Sequence, residues 1–321
     1  MKKGHHMNKY LIALDIGGTK AEAVLFSPDG HIFHRIVDPA GTPFEYGVEQ
    51  TLEKTGATLR RLLSVLPQGT TVAALYASIA TVEYYMEAFT AYFRQNFPQI
   101  PSIRIEGDGC CLISGMLGHR DGAALICGTG SSLYLRTGDS YRHLGGGGHM
   151  IDSAGSGYCL GRLALQASLR AVNGGSAQTL LTELVNAQGG APMWDNLPEI
   201  YARGRAYIAS FAGCVFAARQ QGDIVARQIF NTCATDLSNV IWAARHQLGH
   251  GFDLVLNGGI VTHYPEYAAA IHALGPGDVK MLLSDVPPIW GAAVEALYDA
   301  GLPADEAVKD GFLSSYQQLL K

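Results

Sequence analysis

Two short glycine-rich segments, each following an apolar run, carry residue types that could bind a polyphosphate. The first is DIGGTK at residues 15–20 and the second is CGTGSS at residues 127–132. Adjacent glycines leave backbone N–H groups open to a phosphate, and hydroxyl or ammonium side chains add further donors. The predicted phosphate-binding residues are Gly17, Gly18, Thr19, Lys20, Gly128, Thr129, Gly130 and Ser131.

An ordinary hairpin turn is the alternative interpretation of each segment. Neither segment fits the GxxxxGK[ST] pattern of P-loops or the GxGxxG pattern of Rossmann folds, so neither of those nucleotide sites is predicted. The pair is more informative than either member, because the two segments occupy equivalent positions in the two halves of the chain. Two such turns facing each other could hold one polyphosphate.

Three aspartates could do chemistry beside phosphates. Asp15 ends the first apolar run, and a carboxylate next to a phosphate is tolerated when a cation lies between them, which favours Mg²⁺. Asp108 ends the segment SIRIEGD and could be a general base for a hydroxyl or the N-cap of the following helix. Asp152, followed by Ser153, lies in the glycine-rich segment 145–162 and could bind substrate hydroxyls, unless that segment is a flexible linker.

A third glycine pair ends the strand-like run LVLNGG near the C-terminus. Gly258 and Gly259 could let a flat base lie against the backbone, or could simply form a strand-to-helix turn. The histidines show no HExxH spacing and the cysteines form no CxxC pair, so no zinc site is predicted.

Apolar periodicity and turn signals divide the chain into two similar series of elements. Residues 10–118 follow the order β-β-β-α-β-α-β-α, and the pattern of strand, Gly/Thr turn and hairpin begins again at residue 121. Antiparallel strands followed by βαβ crossovers predict an α/β fold with a mixed sheet covered by helices. We therefore expect an internal duplication, with one domain over residues 1–118 and a second over residues 119–302.

Composition excludes several classes of protein. The chain has 321 residues, of which 48% are hydrophobic and 16% charged, enough to bury the cores of about two domains. Its formal net charge of -5 does not favour nucleic acid as a partner. No apolar run is long enough to span a membrane, and no signal peptide is predicted. The six cysteines, of which Cys110 and Cys111 are adjacent and the others scattered, are typical of reduced thiols in a cytoplasmic protein.

Taken in order, the motifs resemble those of the actin-like ATPase superfamily, which includes sugar kinases, heat-shock 70 proteins and actin. DIGGTK resembles its first phosphate motif, ALICGTGSS its second and LVLNGGIV its adenosine motif. Within it, the chain most resembles the BadF/BadG/BcrA/BcrD ATPase family, which includes N-acetylglucosamine kinases. That family has a segment ending in D-x-x-G-S-x-x-x-(I/L)-G, which HLGGGGHMIDSAGSGYCLGR matches, and a terminal Gly-Ala helix, which PPIWGAAVEAL resembles.

The resemblance, which spans residues 10–298, implies duplicated actin-like (ribonuclease H-like) ATPase domains, each a mixed five-stranded sheet flanked by helices. It implies an ATP-dependent sugar kinase that transfers the γ-phosphoryl group of Mg-ATP to a hydroxyl of N-acetylglucosamine or a related amino sugar. Mg-ATP would lie in the cleft between the domains, bound by the glycine turns and by Gly258 and Gly259. The final helix, 303–321, would pack back on the first domain, and the protein would be a cytoplasmic homodimer.

The resemblance also implies roles for individual side chains. Asp108 would be the catalytic base, and Asp15 would hold magnesium-bound water. Asp152 would contact the sugar, and Ser78, Asp108 and Ser153 would contribute to the same pocket. Two positions depart from the family pattern near that pocket: Gly107 stands where Asn usually precedes the base, and the turn in YASIATVEYY, residues 76–85, has no glycine.

Two other functions are alternatives. Some family members are ATPase activators that pass electrons to a dehydratase through a [4Fe–4S] cluster held between subunits on exposed cysteines. Here Cys110 and Cys111 follow Asp108 and the other cysteines are scattered, which does not favour that function. The second alternative is a nucleotide-responsive regulatory protein without turnover, although no helix-turn-helix precedes Tyr10.

Overall fold

The computed structural model describes residues 9–18, 20–39 and 41–320. Thr19, one of the predicted phosphate-binding residues, lies outside the described residues. The chain forms two compact units. The first combines the residues up to Arg120 with those from Ser284 onward, and the second is Asp121–Leu283.

The first unit is built on a five-stranded mixed sheet. Its strands are β1 Lys9–Ile16, β2 Lys20–Phe26, β3 Ile32–Pro39, β4 Thr71–Ile79 and β5 Ser102–Glu106, in the order β3-β2-β1-β4-β5. β2 pairs antiparallel with β1 and β3, whereas β4 pairs parallel with β1 and β5. Residues 11–16 of β1 are all buried, as expected for a central strand that has helices on both faces.

Helices fill the crossovers of this unit. They are α1 Pro43–Tyr46, α2 Val48–Ser64, α3 Met86–Asn96 and α4 Asp108–Leu117, with a 3₁₀ helix at Val82–Tyr85 before α3. Leu59 and Leu62 of α2 and Phe89 and Phe93 of α3 pack with the apolar residues of the sheet in one core. The helices that pattern and spacing predict are therefore those that cover the sheet.

The second unit repeats this sheet. Its strands are β6 Gly122–Cys127, β7 Ser131–Thr137, β8 Ser140–Leu144, β9 Asp253–Asn257 and β10 Lys280–Leu283, in the order β10-β9-β6-β7-β8. Here too the first three strands are antiparallel, and β6, β9 and β10 are parallel. The expected α/β fold with two mixed five-stranded sheets is confirmed.

Seven helices are described in the second unit. They are α5 Gly157–Val172, α6 Leu181–Gly189, α7 Leu197–Ser210, α8 Ala212–Gln220, α9 Ile224–Leu248, α10 Gly259–His263 and α11 Pro265–Leu274. Asp223 is the N-cap of α9 and accepts a hydrogen bond from the Ala226 N–H, as the sequence predicts. No helix in the described part of the chain is both long and apolar enough to cross a membrane.

The C-terminal segment differs from the expected domain boundary at residue 302. It contains α12 Pro288–Asp299 and α13 Glu306–Gln318, and both belong to the first unit. α12 packs against α4, where Gly291 lies so close to the Cys111 carbonyl oxygen that a methyl group would overlap it. Residues 284–302 therefore complete the first unit, because their small residues fit against α4.

A buried ion pair and an aromatic contact add to this packing. Arg104 of β5 forms ion pairs with Glu295 and Asp299 of α12, and Glu295 also accepts a hydrogen bond from Ser114 of α4. On α13, Phe312 packs edge-to-face against Phe26 of β2. These contacts join residues far apart in sequence, which is why periodicity alone does not reveal them.

Candidate active site

The carboxyl edge of the first sheet brings together the chemistry-bearing residues of the first unit. Asp15 of β1 lies opposite Ser78 of β4, and Ser78 lies opposite Glu106 of β5, so the three parallel strands end at one level. Asp108 follows β5 by two residues and begins α4. The charge of Asp108 acts on Asp15, so the structure brings these two carboxylates into one electrostatic environment.

The Asp15 carboxyl group is strongly perturbed. It is 8% exposed, and burial raises its pKa to about 7, with further contributions from the charges of Asp108 and Glu22, while Lys20 acts in the opposite direction. A carboxylate in such surroundings gains most from a nearby cation. Among the described residues no three His, Cys, Asp or Glu side chains form a ready metal site.

That finding does not conflict with magnesium. Mg²⁺ is usually held by one or two carboxylates together with substrate phosphate oxygens, so it needs no cage made of protein alone. Asp15 offers a hard oxygen ligand whose ionised form a divalent cation would stabilise. The residue present therefore fits the expected cation, which would neutralise phosphate charge when bound.

The position of Asp108 at the start of α4 tests its alternative role as the N-cap of that helix. The N-cap of α4 is Gly107, and Asp108 is the first residue of the helix itself. An aspartate in the first turn interacts favourably with the helix dipole, but it is not the residue that caps the helix. The interpretation of Asp108 as the N-cap is therefore wrong.

Ser78 lies deeper than a substrate contact requires. It is fully buried, and its hydroxyl lies 3.2 Å from the Cys111 sulfur and 3.5 Å from the Gly107 carbonyl oxygen. These contacts join β4 to the first turn of α4, and so help to fix the position of Asp108. Its expected contact with the sugar stays a prediction.

The turn after β4, where the sequence departs from the family pattern, is strained. Thr81 has a φ of 65°, a left-handed conformation that β-branched residues rarely adopt. Its Oγ1 and both carboxylate oxygens of Glu83 are buried without a hydrogen-bond partner among the described residues. Strained backbone and unsatisfied polar groups concentrate at functional sites, so this turn is a further candidate for the site, although neither residue was predicted for it.

The first glycine turn is tight and is flanked by an ionic network. The Gly17 N–H donates to the Lys20 carbonyl oxygen at 3.0 Å, and Gly18 is exposed between them. The Lys20 ammonium lies 2.7 Å from the Glu22 carboxylate, which Arg35 also contacts. Burial alone would raise the pKa of Glu22, but these two cations hold it below its usual value. The Lys20 ammonium has three N–H donors, so it can contact a phosphate while it keeps this ion pair.

In the second unit, the second glycine turn joins the start of α5. The Gly157 N–H donates to the Gly128 carbonyl oxygen at 2.8 Å, and the Tyr158 N–H donates to the Thr129 carbonyl oxygen at 3.0 Å. Gly130 completes the turn, because its carbonyl oxygen accepts from the Gly128 N–H. The predicted phosphate turn is therefore anchored to the start of α5, and these two helix N–H groups are engaged by its carbonyl oxygens.

The third glycine pair lies against the same strand end. Gly258 has a φ of 116°, and a side chain there would overlap the Cys127 carbonyl group. Gly259 is the first residue of α10. If Gly128 carried a Cβ atom, that atom would lie 3.8 Å from the backbone nitrogen of Gly259. The structure thus brings Gly128, Gly258 and Gly259 together at the carboxyl ends of β6 and β9.

The glycine-rich segment before α5 is folded, so its interpretation as a flexible linker is wrong. The Asp152 N–H donates to the Gly148 carbonyl oxygen at 2.8 Å. The Ser131 hydroxyl donates to the Ala154 carbonyl oxygen at 2.6 Å, which fastens the segment to β7. Ser153 and Ser156 are hydrogen-bonded through their hydroxyls, and Ser156 also caps α5.

Asp152 and Ser153 line a cavity of about 750 Å³ in the second unit. Its other polar lining includes three side chains that sequence reasoning did not select, Arg162, Asp236 and Asn239. Burial, and then the charge of Asp152, raise the pKa of Asp236. Arg162 stands in the motif segment and could have been selected, but Asp236 and Asn239 lie within a long helix that carries no local signal for a site.

Known proteins similar to this chain include sugar kinases. An N-acetylmuramic acid/N-acetylglucosamine kinase of Clostridium acetobutylicum is 32% identical over 140 residues, a match that covers 42% of this chain and 45% of that protein. The match thus spans less than half the length of that relative.

Two solved structures share the fold. A candidate N-acetylglucosamine kinase of Chromobacterium violaceum is 22% identical with a TM-score of 0.69, covering 90% of this chain and 98% of that chain. A ROK family glucokinase of Streptomyces griseus in complex with glucose and AMPPNP is 17% identical with a TM-score of 0.54, covering 89% and 98%. The model of one family matches residues 12–296, nearly the whole chain. As its motifs predict, the chain belongs to the BadF/BadG/BcrA/BcrD ATPase family.

Proposed function

We propose that this protein is an ATP-dependent sugar kinase that phosphorylates a hydroxyl of N-acetylglucosamine or a related amino sugar. The observation that carries the proposal is the pair Asp15 and Asp108 at the carboxyl edge of the first sheet, one buried with a raised pKa and the other at a helix start. The names of the Clostridium and Chromobacterium relatives support the sugar class, because both specify N-acetylglucosamine.

In this proposal Asp108 accepts the proton of the attacking sugar hydroxyl. Phosphoryl transfer requires little covalent chemistry from the protein, which must align the groups and accept one proton. The position of Asp108 in the first turn of α4, fixed by the contacts of Ser78 and by the packing of α12, suits a base that must not move. Asp15 is the residue that would hold Mg²⁺, directly or through water.

We assign the nucleotide to the glycine turns. Gly17, Gly18, Thr19 and Lys20 of the first unit would bind phosphate oxygens, as would Gly128, Thr129, Gly130 and Ser131 of the second. Gly258 and Gly259 would lie against the adenine. The convergence of Gly128, Gly258 and Gly259 at the ends of β6 and β9 supports this assignment, because backbone without side chains lets a nucleotide approach closely.

We assign the sugar to Asp108 and to the folded segment before α5, with Asp152 and Ser153 in contact with its hydroxyls. The cavity that these two residues line supports the assignment, since a carboxylate and a hydroxyl there offer an acceptor and a donor. A homodimer and a cytoplasmic location remain predictions from the sequence.

The cysteines do not favour an electron-transferring ATPase activator. Five of the six are buried and Cys159 is half-buried. A cluster shared between subunits needs several exposed thiolates on one surface.

A screen of ADP release tests the proposal. The purified protein with Mg-ATP is offered N-acetylglucosamine, glucosamine, N-acetylmuramic acid, N-acetylmannosamine and glucose, and the product is identified by ³¹P NMR. We expect ADP and a sugar phosphate in equal amounts with at least one N-acetylated or amino sugar. ADP release that no sugar accelerates would contradict the proposal.

A further inference from the structure

Two thiols face each other beside the cavity of the second unit. The sulfur atoms of Cys159, in the first turn of α5, and Cys233, on α9, are 3.8 Å apart. Cys233 is fully buried, whereas Cys159 is half-buried and lines the cavity with Asp152. One sulfur of the pair is therefore open to a small solute, and the other lies directly behind it.

The surroundings of Cys159 favour its thiolate form. The Cys233 thiol donates a hydrogen bond to the Cys159 sulfur, and this contact, with the Gly155 backbone and the nearby Arg162, lowers the pKa of Cys159 to about 6 despite partial burial. The same interaction and burial raise the pKa of Cys233, which keeps its proton. A helix N-terminus adds positive potential at Cys159. Reactive cysteines have these features: partial exposure, a cation and a helix start.

We infer that Cys159 and Cys233 form a hydroperoxide-sensitive dithiol, in which the Cys159 thiolate attacks the peroxide and Cys233 resolves the product as a disulfide. In the first step the Cys159 sulfur attacks hydrogen peroxide. An S–O bond forms, the O–O bond breaks, hydroxide leaves and the sulfur is oxidised by two electrons to sulfenic acid. In the second step the Cys233 sulfur attacks the Cys159 sulfur, an S–S bond forms and the S–O bond breaks. The departing hydroxyl group takes the Cys233 proton and leaves as water, while the hydroxide of the first step passes to the solvent, so that one thiolate, one thiol and one peroxide give the disulfide, water and hydroxide.

The geometry allows this cross-link without a change of fold. A disulfide has an S–S distance of about 2.05 Å, so the two sulfurs must approach each other by less than about 2 Å. Gly155 packs against the backbone of Cys233, which already holds α9 beside the segment that precedes α5. The cross-link would join the first turn of α5, whose N–H groups contact the glycine turn at Gly128, to the middle of α9.

Mass spectrometry tests the inference without reference to kinase activity. The reduced full-length protein is treated with hydrogen peroxide at pH 7, blocked with N-ethylmaleimide in denaturant and digested with trypsin without reduction. Cys159 lies in the tryptic peptide 143–162 and Cys233 in 228–245, and each peptide contains one cysteine. We expect these two peptides to become linked, the thiol count to fall from six to four, and dithiothreitol to restore it. A chain that keeps six thiols, or that links other cysteines, overturns the inference.

Three variants separate the roles of the two sulfurs. Cys233→Ser should leave a dimedone-reactive sulfenic acid on Cys159 that proceeds to a sulfinic acid, which dithiothreitol does not reverse. Cys159→Ser should abolish the peroxide reaction of Cys233. Cys214→Ser is the matched control in the same unit, because the Cys214 sulfur lies beside Gln188 rather than another thiol, and it should form the cross-link as the wild type does. A cross-link lost equally in all three variants would contradict the assignment.

Discussion

Replacement of Asp108 by asparagine tests the proposed base, because asparagine keeps the size of the side chain but cannot accept the proton. If Asp108 is the base, kcat should fall by roughly 10²–10⁴-fold, which corresponds to about 3–5 kcal/mol of transition-state stabilisation. The affinity for ATP should change little, since the phosphate turns are elsewhere in the chain. A single-turnover assay of sugar phosphorylation measures the chemical step directly.

The structure also sets the expected change in stability, which makes the test specific. Asp108 is the first residue of α4 and not its cap, so asparagine relieves the repulsion on Asp15 but loses the favourable interaction of an acidic side chain with a helix start. That loss costs about 0.3–1 kcal/mol. Glu49→Gln is the matched control, because it removes an exposed acidic charge from the first turn of another helix, α2.

We therefore expect the two variants to unfold at similar temperatures while only Asp108→Asn loses activity. A variant that retains more than about a tenth of the wild-type kcat would refute the assignment, because a general base contributes more than that. Equal losses of activity in Asp108→Asn and Glu49→Gln would indicate an electrostatic effect of net charge instead.

Three further predictions follow from the geometry. The raised pKa of Asp15 means that the unfolded chain ionises first as the pH rises from about 4 to 7, so the folded state loses stability over that range. Asp15→Asn should remove this loss, so the free energy of unfolding should rise by up to about 4 kcal/mol at pH 8 and by almost nothing at pH 4. Urea denaturation at the two pH values measures the difference, and an equal effect at both would contradict the prediction. Asp152→Ala should raise the sugar KM about 10–100-fold with little change in the KM for ATP, since a hydrogen bond to a charged group contributes about 1.5–3 kcal/mol. Steady-state kinetics measures both constants, and equal increases in the two KM values would argue against a sugar contact. Gly291→Ala should destabilise the fold by at least about 2 kcal/mol, because the added methyl group overlaps the Cys111 carbonyl oxygen. Gly277→Ala is the control, because a methyl group there lies in open space, and its melting temperature in calorimetry should lie within about two degrees of the wild type.

Patterns among neighbouring residues predicted most of the fold and part of the candidate site. Asp15 could be selected because an apolar run ends on it and glycines follow, and Asp108 because it ends the strand-like segment SIRIEGD, two residues after β5 itself. The duplicated sheet followed from the second series of strand, Gly/Thr turn and hairpin. These features are properties of neighbouring residues, so they can be read along the chain.

The parts that the sequence did not reveal depend on contacts between distant residues. Arg104 and Glu295 show no pattern that pairs them, yet their ion pair places α12 in the first unit. Asp236 reaches the cavity because α9 packs beside the glycine-rich segment. The strain at Thr81 is a backbone conformation that its residue type disfavours, so no propensity could predict it.

The interrupted course of the first unit has a consequence for how the protein folds during synthesis. The surface of α4 that receives α12 stays without its partner until the whole second unit and the residues after Ser284 have been translated. At 5–20 residues per second, that interval lasts roughly 10–40 s on the ribosome. The second unit is continuous in sequence and can complete its core first, whereas the sheet edge that carries Asp15 and Asp108 is stabilised only after α12 has been synthesised. A nascent chain stalled before α12 should therefore expose the apolar face of α4 to chaperones.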